Sequence, residues 1–142
     1  MHQIRKDFDL NRLHEVNLEI SNLKLTYKAW AEKNNQGVLI KIIGKYGFGS
    51  DGADDAKYIR WKLSEIFDHP DFHFKGAVID LTDFEYEWGD NIDVDPPNLG
   101  MPFLVVLKKE HAEPYAFFVA KEKMRHHLKT ALAEINDEIK KT

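Results

Sequence analysis

A run of apolar residues in the second half of the chain, FLVVL at 103–107, constrains the fold most. It shows no alternation of apolar and polar residues, which is typical of a central strand covered on both faces. The segment at 76–81 is a second buried strand, and it runs into an acidic, aromatic loop. Helical patterns alternate with these strands, so the sequence predicts one largely parallel sheet with helices packed on it.

The first part of the chain adds an antiparallel edge to this sheet. Residues 23–30 alternate in polarity, turn-forming residues follow at 34–37 and a second strand at 38–43, so 23–43 predicts a β-hairpin. Apolar residues at helical spacing then predict a helix at 53–67, which His69-Pro70 ends.

Two more elements are predicted near the end of the chain. Residues 115–119 favour a last short strand, and an apolar stripe at helical spacing predicts a helix at about 121–140. The predicted order is β-β-α-β-β-β-α, in a mixed α/β sheet of about five strands. The chain fits a single domain, 1–142, in which residues 1–20 form an N-terminal extension.

Composition excludes several classes of function. A net charge of -4 argues against a dedicated nucleic-acid binder, which needs a basic face. The sequence has no cysteine, which excludes disulfides, cysteine-zinc sites and cysteine nucleophiles. It opens without a secretory apolar core, and no run approaches the ~20 apolar residues that span a bilayer. We therefore expect a cytoplasmic protein that does not contact a membrane.

The acidic, aromatic loop is the predicted working surface, because partners and ligands meet open α/β sheets at strand ends. The turn at 46–52 is expected beside it, since both segments follow a strand at the same edge. The predicted partner-binding residues are Tyr46, Phe48, Glu85, Tyr86, Glu87, Trp88, Gly89 and Asp90.

Within this set, Tyr86 and Trp88 are the expected anchors, because Tyr and Trp bury much area with few rotatable bonds. The neighbouring acids would steer a basic protein partner toward them. A cytosolic inhibitor of the immunity or antitoxin type, neutralising a basic nuclease, is one specific form of this function. The sequence equally allows Trp88 to be a lid on the core, with Gly89 as a backbone kink.

A rival class of function starts from the carboxylates. Asp80, Asp83 and Asp90 follow a strand end, where carboxylates can hold a divalent metal or act as an acid/base pair. They form the alternative site, that of a divalent-metal-dependent hydrolase. The stretch from Asp93 is not a calcium loop, because its sixth position is Asn98 rather than Gly and its twelfth is Leu104 rather than Glu.

Residues 47–52 match G-x-G-x-x-G between a strand and a helix, the context of a dinucleotide-binding turn. Asp51, Asp54 and Asp55 crowd the same helix start and would repel an anion. The next strand-end acid, Asp80, also comes later than that fingerprint prefers. We interpret the segment as a Gly-rich turn before a capped helix and expect no cofactor.

Residues 37 to about 107 resemble the STAS domain, the fold of anti-sigma-factor antagonists. The likeness lies in the hairpin entry, the helix and the strand AVIDLT at 77–82, where the family reads apolar-apolar-Asp-Leu-Ser. The family's next loop carries an Asp-Ser-Ser-Gly-type element, which falls here on 88–91. Gly89 or Asp90 stands in place of the phosphorylatable serine, and the prolines at 96–97 prevent the helix that follows in the family. The resemblance implies a non-catalytic interaction domain.

Overall fold

The computed structural model describes residues 9–16, 20–47, 52–89, 92–97 and 100–141. It confirms an α/β fold with one mixed sheet, mostly parallel, that opens with an antiparallel hairpin. The strands are β1 (Lys24–Glu32), β2 (Asn35–Lys45), β3 (Phe74–Asp80), β4 (Phe84–Glu85), β5 (Phe103–Val106) and β6 (Met124–Arg125). The helices are α1 (Gly52–Phe67), α2 (Ala112–Tyr115) and α3 (Leu128–Lys140), and single 3-10 turns lie at Leu10–Arg12, Lys109–His111 and Lys121–Lys123.

The sheet has the strand order β1-β2-β3-β5-β6. Among the described strands only β1 and β2 pair antiparallel, and they are joined by a two-residue turn in which Lys33 takes a positive φ of 55°. The short strand β4 pairs with β2 beyond the end of β3. The backbone N–H of Gly44 donates to the carbonyl oxygen of Asp83, and that of Tyr46 donates to the carbonyl oxygen of Glu85. Strands β3 and β4 therefore pair one after the other with β2.

Both faces of the sheet are covered, as the unbroken apolar strand sequences predict. On one face, α1 packs through Ile59 and Leu63 into the larger core cluster, which includes Ile40 and Ile79. On the other face, α3 forms a second cluster with the strands; its buried residues are Val78, Leu104, Val106, Ala131, Ile135 and Ile139. No helix within the described ranges is both long and apolar enough to cross a bilayer.

The prediction of a strand at 115–119 is wrong. Tyr115 instead ends helix α2, and its carbonyl oxygen accepts from the N–H groups of Phe118 and Val119 in a turn. The last strand of the sheet is β6, whose residues pair with β5. The final helix consequently begins at Leu128 rather than near 121.

Candidate functional site

The turn after β2 and the loop after β4 lie against each other, as the shared sheet edge predicted. The rings of Tyr46 and Tyr86 are 5.5 Å apart between centroids. A Cβ atom on Gly89 would lie 2.7 Å from the Tyr46 ring and 2.8 Å from the carbonyl oxygen of Gly47. The loop backbone therefore packs directly on the turn, at a distance that only glycine permits.

A cluster of five aromatic rings supports this loop. Its members are Tyr46, Phe84, Tyr86, Tyr115 and Phe118. The closest pair, Tyr86 and Phe118, is edge-on with centroids 4.9 Å apart, an arrangement that favours aromatic attraction. Two hydroxyls are also anchored: Tyr115 donates to the carbonyl of Phe84 at 2.8 Å, and Tyr86 donates to that of Gly89 at 3.0 Å. The base of the loop is thus held by packing and by hydrogen bonds.

The two expected aromatic anchors have different positions. Tyr86 is only 9% exposed and belongs to the core cluster, as does Tyr46 at 1%. Trp88 is 60% exposed, so its indole is not a lid on the core. The expectation of Tyr86 as an exposed anchor does not fit its burial, because its ring already contacts other core rings. Phe48 and Asp90 lie outside the described residues.

Two of the loop's acidic residues face solvent. Glu85 and Glu87 are exposed, and within the described part of the chain neither forms an ion pair. Asp83 differs, because its carboxylate lies 2.6 Å from the ammonium of Lys41. Their hydrogen bond and the Coulomb attraction lower the pKa of Asp83 and raise that of Lys41. Glu85 and Glu87 therefore supply negative charge that no described cation neutralises in an ion pair.

The alternative metal site is not assembled among the described residues. Asp80 is buried, and its Oδ1 accepts from the backbone N–H of Thr82 at 2.9 Å and from its hydroxyl at 2.7 Å. Asp83 is paired with Lys41. In the segments that the structure describes, no group of three or more His, Asp or Glu side chains is arranged to hold a metal ion. Asp90, the third proposed ligand, lies outside those segments.

The Gly-rich turn before α1 is occupied by the protein's own carboxylate. Asp55 accepts from the backbone N–H of Gly47 at 2.8 Å and from the hydroxyl of Ser21 at 2.5 Å. A Cβ on Gly52 would come within 2.3 Å of the Tyr46 ring. Both observations give the motif a structural purpose, since Asp55 supplies negative charge at the helix start and the glycine allows close packing.

A cleft of 380 Å³ opens between the loop and the segment that follows β5. Thr82, Asp83, Phe84, Glu85, Tyr86, Glu87, Lys108 and His111 line it. The ring of His111 stacks on Tyr115 at 4.7 Å, and its Nδ1 is buried with no hydrogen-bond partner among the described residues. His111 was not among the predicted site residues, because no pattern in the sequence indicates that the segment after β5 lies against the loop after β4.

Phe117 is a second exposed ring that sequence reasoning missed. It is 89% exposed and adjoins Phe118, whose ring contacts Tyr86. Its backbone thus adjoins the aromatic cluster, while its own ring is in solvent. The adjacent phenylalanines could have indicated this exposure, since two neighbouring side chains seldom both point into the same core. The strand-end surface is defined here as Glu85, Glu87 and Trp88.

No family model matches this chain, and neither a curated protein nor a solved structure shows significant similarity to it. The geometry of the strand-end surface is therefore the basis for assigning a function.

Proposed function

We propose that this protein is a non-catalytic binding domain that grips a basic protein partner through the strand-end surface. One observation carries the proposal: Trp88, 60% exposed, lies between Tyr86 and Gly89, which both contact buried rings, and next to carboxylates that form no ion pair with any described residue. Exposed tryptophans dominate many binding interfaces because one side chain buries a large area with few rotatable bonds.

The base makes the surface well suited to binding. Tyr86, two residues before Trp88, is fixed by ring contacts and by its hydrogen bond to Gly89. Gly89, directly after Trp88, packs on Tyr46. A backbone held on both sides of the indole loses little freedom on association, which reduces the entropic cost of binding.

Charge indicates the kind of partner. Glu85 and Glu87 lie just before Trp88 and are exposed to solvent, and the net charge of the chain is -4. Negative charge around an aromatic anchor favours a partner with a positive patch and accelerates their encounter.

The STAS resemblance supports the same class of function, a cytoplasmic regulatory domain that works by association. It does not support a phosphoserine switch at Gly89, because a Cβ there would collide with the Tyr46 ring and the Gly47 carbonyl oxygen. Binding controlled by partner concentration is the form that suits this chain. An immunity or antitoxin-like inhibitor of a basic nuclease is a second specific form of the same proposal.

Two exposed tryptophans provide a matched experiment. Trp88 and Trp61 are 60% and 59% exposed, and Trp61 lies on α1, away from the strand-end surface. The wild-type chain, Trp88→Ala and Trp61→Ala would each be immobilised and exposed to extract from the source cells. Bound proteins would be quantified by mass spectrometry, and the best candidate would then be titrated calorimetrically.

The proposal expects a basic partner that Trp61→Ala retains and Trp88→Ala loses, with affinity reduced about 30-fold or more, as for an interface hot spot. Glu85→Gln with Glu87→Gln should slow association and flatten its salt dependence. A partner that binds all three proteins equally, or a partner that is acidic, would refute the assignment.

A further inference from the structure

The outer edge of β1 is a second exposed feature of the sheet, distinct from the strand-end surface. This strand is the first in the sheet order, and among the described residues none pairs with its outer side. It is nine residues long, contains no proline, and its register with β2 is continuous from Lys24 to Glu32. Long straight edges of this kind are templates for pairing with another strand.

The hairpin turn determines which backbone groups face outward. A two-residue turn makes Glu32 and Asn35 a closely hydrogen-bonded pair, so alternate residues from Glu32 back to Lys24 bond to β2. The residues between them direct their N–H and C=O groups away from the sheet; these are Leu25, Tyr27, Ala29 and Ala31. The outer edge thus presents four donors and four acceptors in regular order.

The charges on β1 point to a particular occupant. Lys24 and Glu32 stand at opposite ends of the strand and on the same face of the sheet. When a second copy of β1 is laid antiparallel about Lys28, Lys24 of each copy faces Glu32 of the other. In the same register the outward residues face each other, Leu25 opposite Ala31 and Tyr27 opposite Ala29. The strand is therefore complementary to itself in both hydrogen bonding and terminal charge.

We propose that two copies of this chain pair through β1 to form a symmetric dimer with one continuous sheet. An apolar cleft of 470 Å³ between β1 and α3, lined in part by Trp30, Leu39 and Leu132, adjoins this edge. In the register centred on Lys28, Thr26 of the second copy faces Trp30, at this cleft. Shifting the register by two residues in either direction leaves Lys24 opposite an uncharged residue.

One contact opposes the dimer. Lys28 meets its own copy at the two-fold axis, and like charges directly opposite one another destabilise a strand pair. The dimer is consequently of moderate affinity, and removing this charge strengthens it. A shift of four residues would instead place Lys28 opposite Glu32, so the effect of Lys28 distinguishes the two registers.

The test is a charge-swap experiment read by sedimentation equilibrium from about 1 μM to about 1 mM, the range of moderate affinities. The wild-type chain should dimerise reversibly. Lys24→Glu and Glu32→Lys should each dimerise about tenfold more weakly, because each places like charges opposite at both ends. An equimolar mixture of the two variants should recover the wild-type affinity as a heterodimer, and so should the double variant.

Two further variants complete the test. Lys28→Thr should dimerise more tightly than wild type. Ala29→Pro removes an outward N–H and should abolish the dimer, while the melting temperature of this variant stays within a few degrees of the wild-type value. A chain that stays monomeric up to the highest concentration, in the wild type and in Lys28→Thr, would overturn the proposal. A dimer whose affinity is unchanged by the charge swaps, or one that is weaker in Lys28→Thr, would also overturn the proposal.

Discussion

The hydroxyl of Tyr115 donates a hydrogen bond of 2.8 Å to the carbonyl oxygen of Phe84, and both residues are buried. This bond joins the segment after β5 to the strand that leads into the strand-end surface. It explains why the aromatic segment at 115–119 forms a helix end and a turn rather than the predicted strand. Tyr115 must point inward to reach Phe84, and its own carbonyl oxygen is used by the following turn.

Tyr115→Phe should therefore destabilise the fold by about 1–3 kcal/mol, because the Phe84 carbonyl loses its side-chain donor in a buried place. Urea denaturation followed by far-UV circular dichroism gives the free energy of unfolding. Tyr58→Phe is the matched control, since within the described residues the Tyr58 hydroxyl makes no hydrogen bond. Equal stability of the two variants would contradict the assigned role.

Alkaline pH should unfold this protein through two tyrosines. Burial raises the pKa of Tyr115 to about 12, and burial with the charge of Glu65 also raises the pKa of Tyr27. Unfolded tyrosine titrates near pH 10, so the stability due to each group is complete below pH ~10 and is lost as pH rises through the folded pKa. Urea midpoints measured between pH 9 and 12 should fall in wild type and fall less in Tyr27→Phe and Tyr115→Phe. Parallel pH profiles in all three proteins would contradict this.

Asp55 should stabilise the fold because it holds two segments at the start of α1. Its carboxylate accepts from the N–H of Gly47 and from the hydroxyl of Ser21. Asp55→Ala should cost about 1–3 kcal/mol, since the partly buried Gly47 N–H loses a charged acceptor. Ser21→Ala removes one of these bonds and also the one that Ser21 Oγ accepts from the N–H of Leu23, and it should cost about 1 kcal/mol at this partly exposed position. Thermal melts of both variants would test the order, and a larger loss in Ser21→Ala would reverse the interpretation.

The sheet and its main helix could be predicted because their sequence patterns are long and regular. The hairpin alternates around a turn, α1 repeats apolar residues at helical spacing, and β3 and β5 are apolar on both faces. β6 could not be found in this way, since Met124 and Arg125 are too few to show a period. Its pairing with β5 in turn shortens the final helix.

Burial in the candidate site was less predictable, because each aromatic residue there has both an apolar ring and, in tyrosine, a polar hydroxyl. Tyr86 is buried since its hydroxyl finds the Gly89 carbonyl oxygen, whereas Trp88 two residues later is exposed. The sequence allowed either residue to be the anchor. Asp80 likewise was a candidate metal ligand in the sequence, but in the structure its carboxylate accepts a hydrogen bond from the backbone N–H of Thr82.

Gly89→Ala should damage both stability and binding. Its Cβ would meet the Tyr46 ring at 2.7 Å and the Gly47 carbonyl oxygen at 2.8 Å, and the backbone oxygen cannot rotate away. We expect a loss of about 1–3 kcal/mol, typical of overpacking. The displaced backbone would also move Trp88, which should be visible as a change in its fluorescence in the folded protein. A variant with wild-type stability and spectrum would show that the loop is not held on Tyr46.

Arg125 and Glu134 form the contact that ties β6 to α3. Nε and one terminal nitrogen of Arg125 each lie 2.9 Å from a different oxygen of Glu134, a bidentate arrangement. The hydrogen bond and the positive charge lower the pKa of Glu134. The pair's contribution to stability is therefore complete above pH ~4.3, the unfolded value, and is lost as pH falls through the lower folded pKa.

Arg125→Lys keeps the positive charge but loses the planar guanidinium, so the variant should retain only part of the stability that the pair with Glu134 contributes. Both side chains are partly exposed, and the coupling in a double-mutant cycle with Glu134→Gln should be below about 1 kcal/mol at pH 7. The coupling should shrink as the pH is lowered from 7 to ~2, because protonation of Glu134 removes its charge. A coupling energy that is the same at both pH values would mean that the two residues interact by packing rather than by charge.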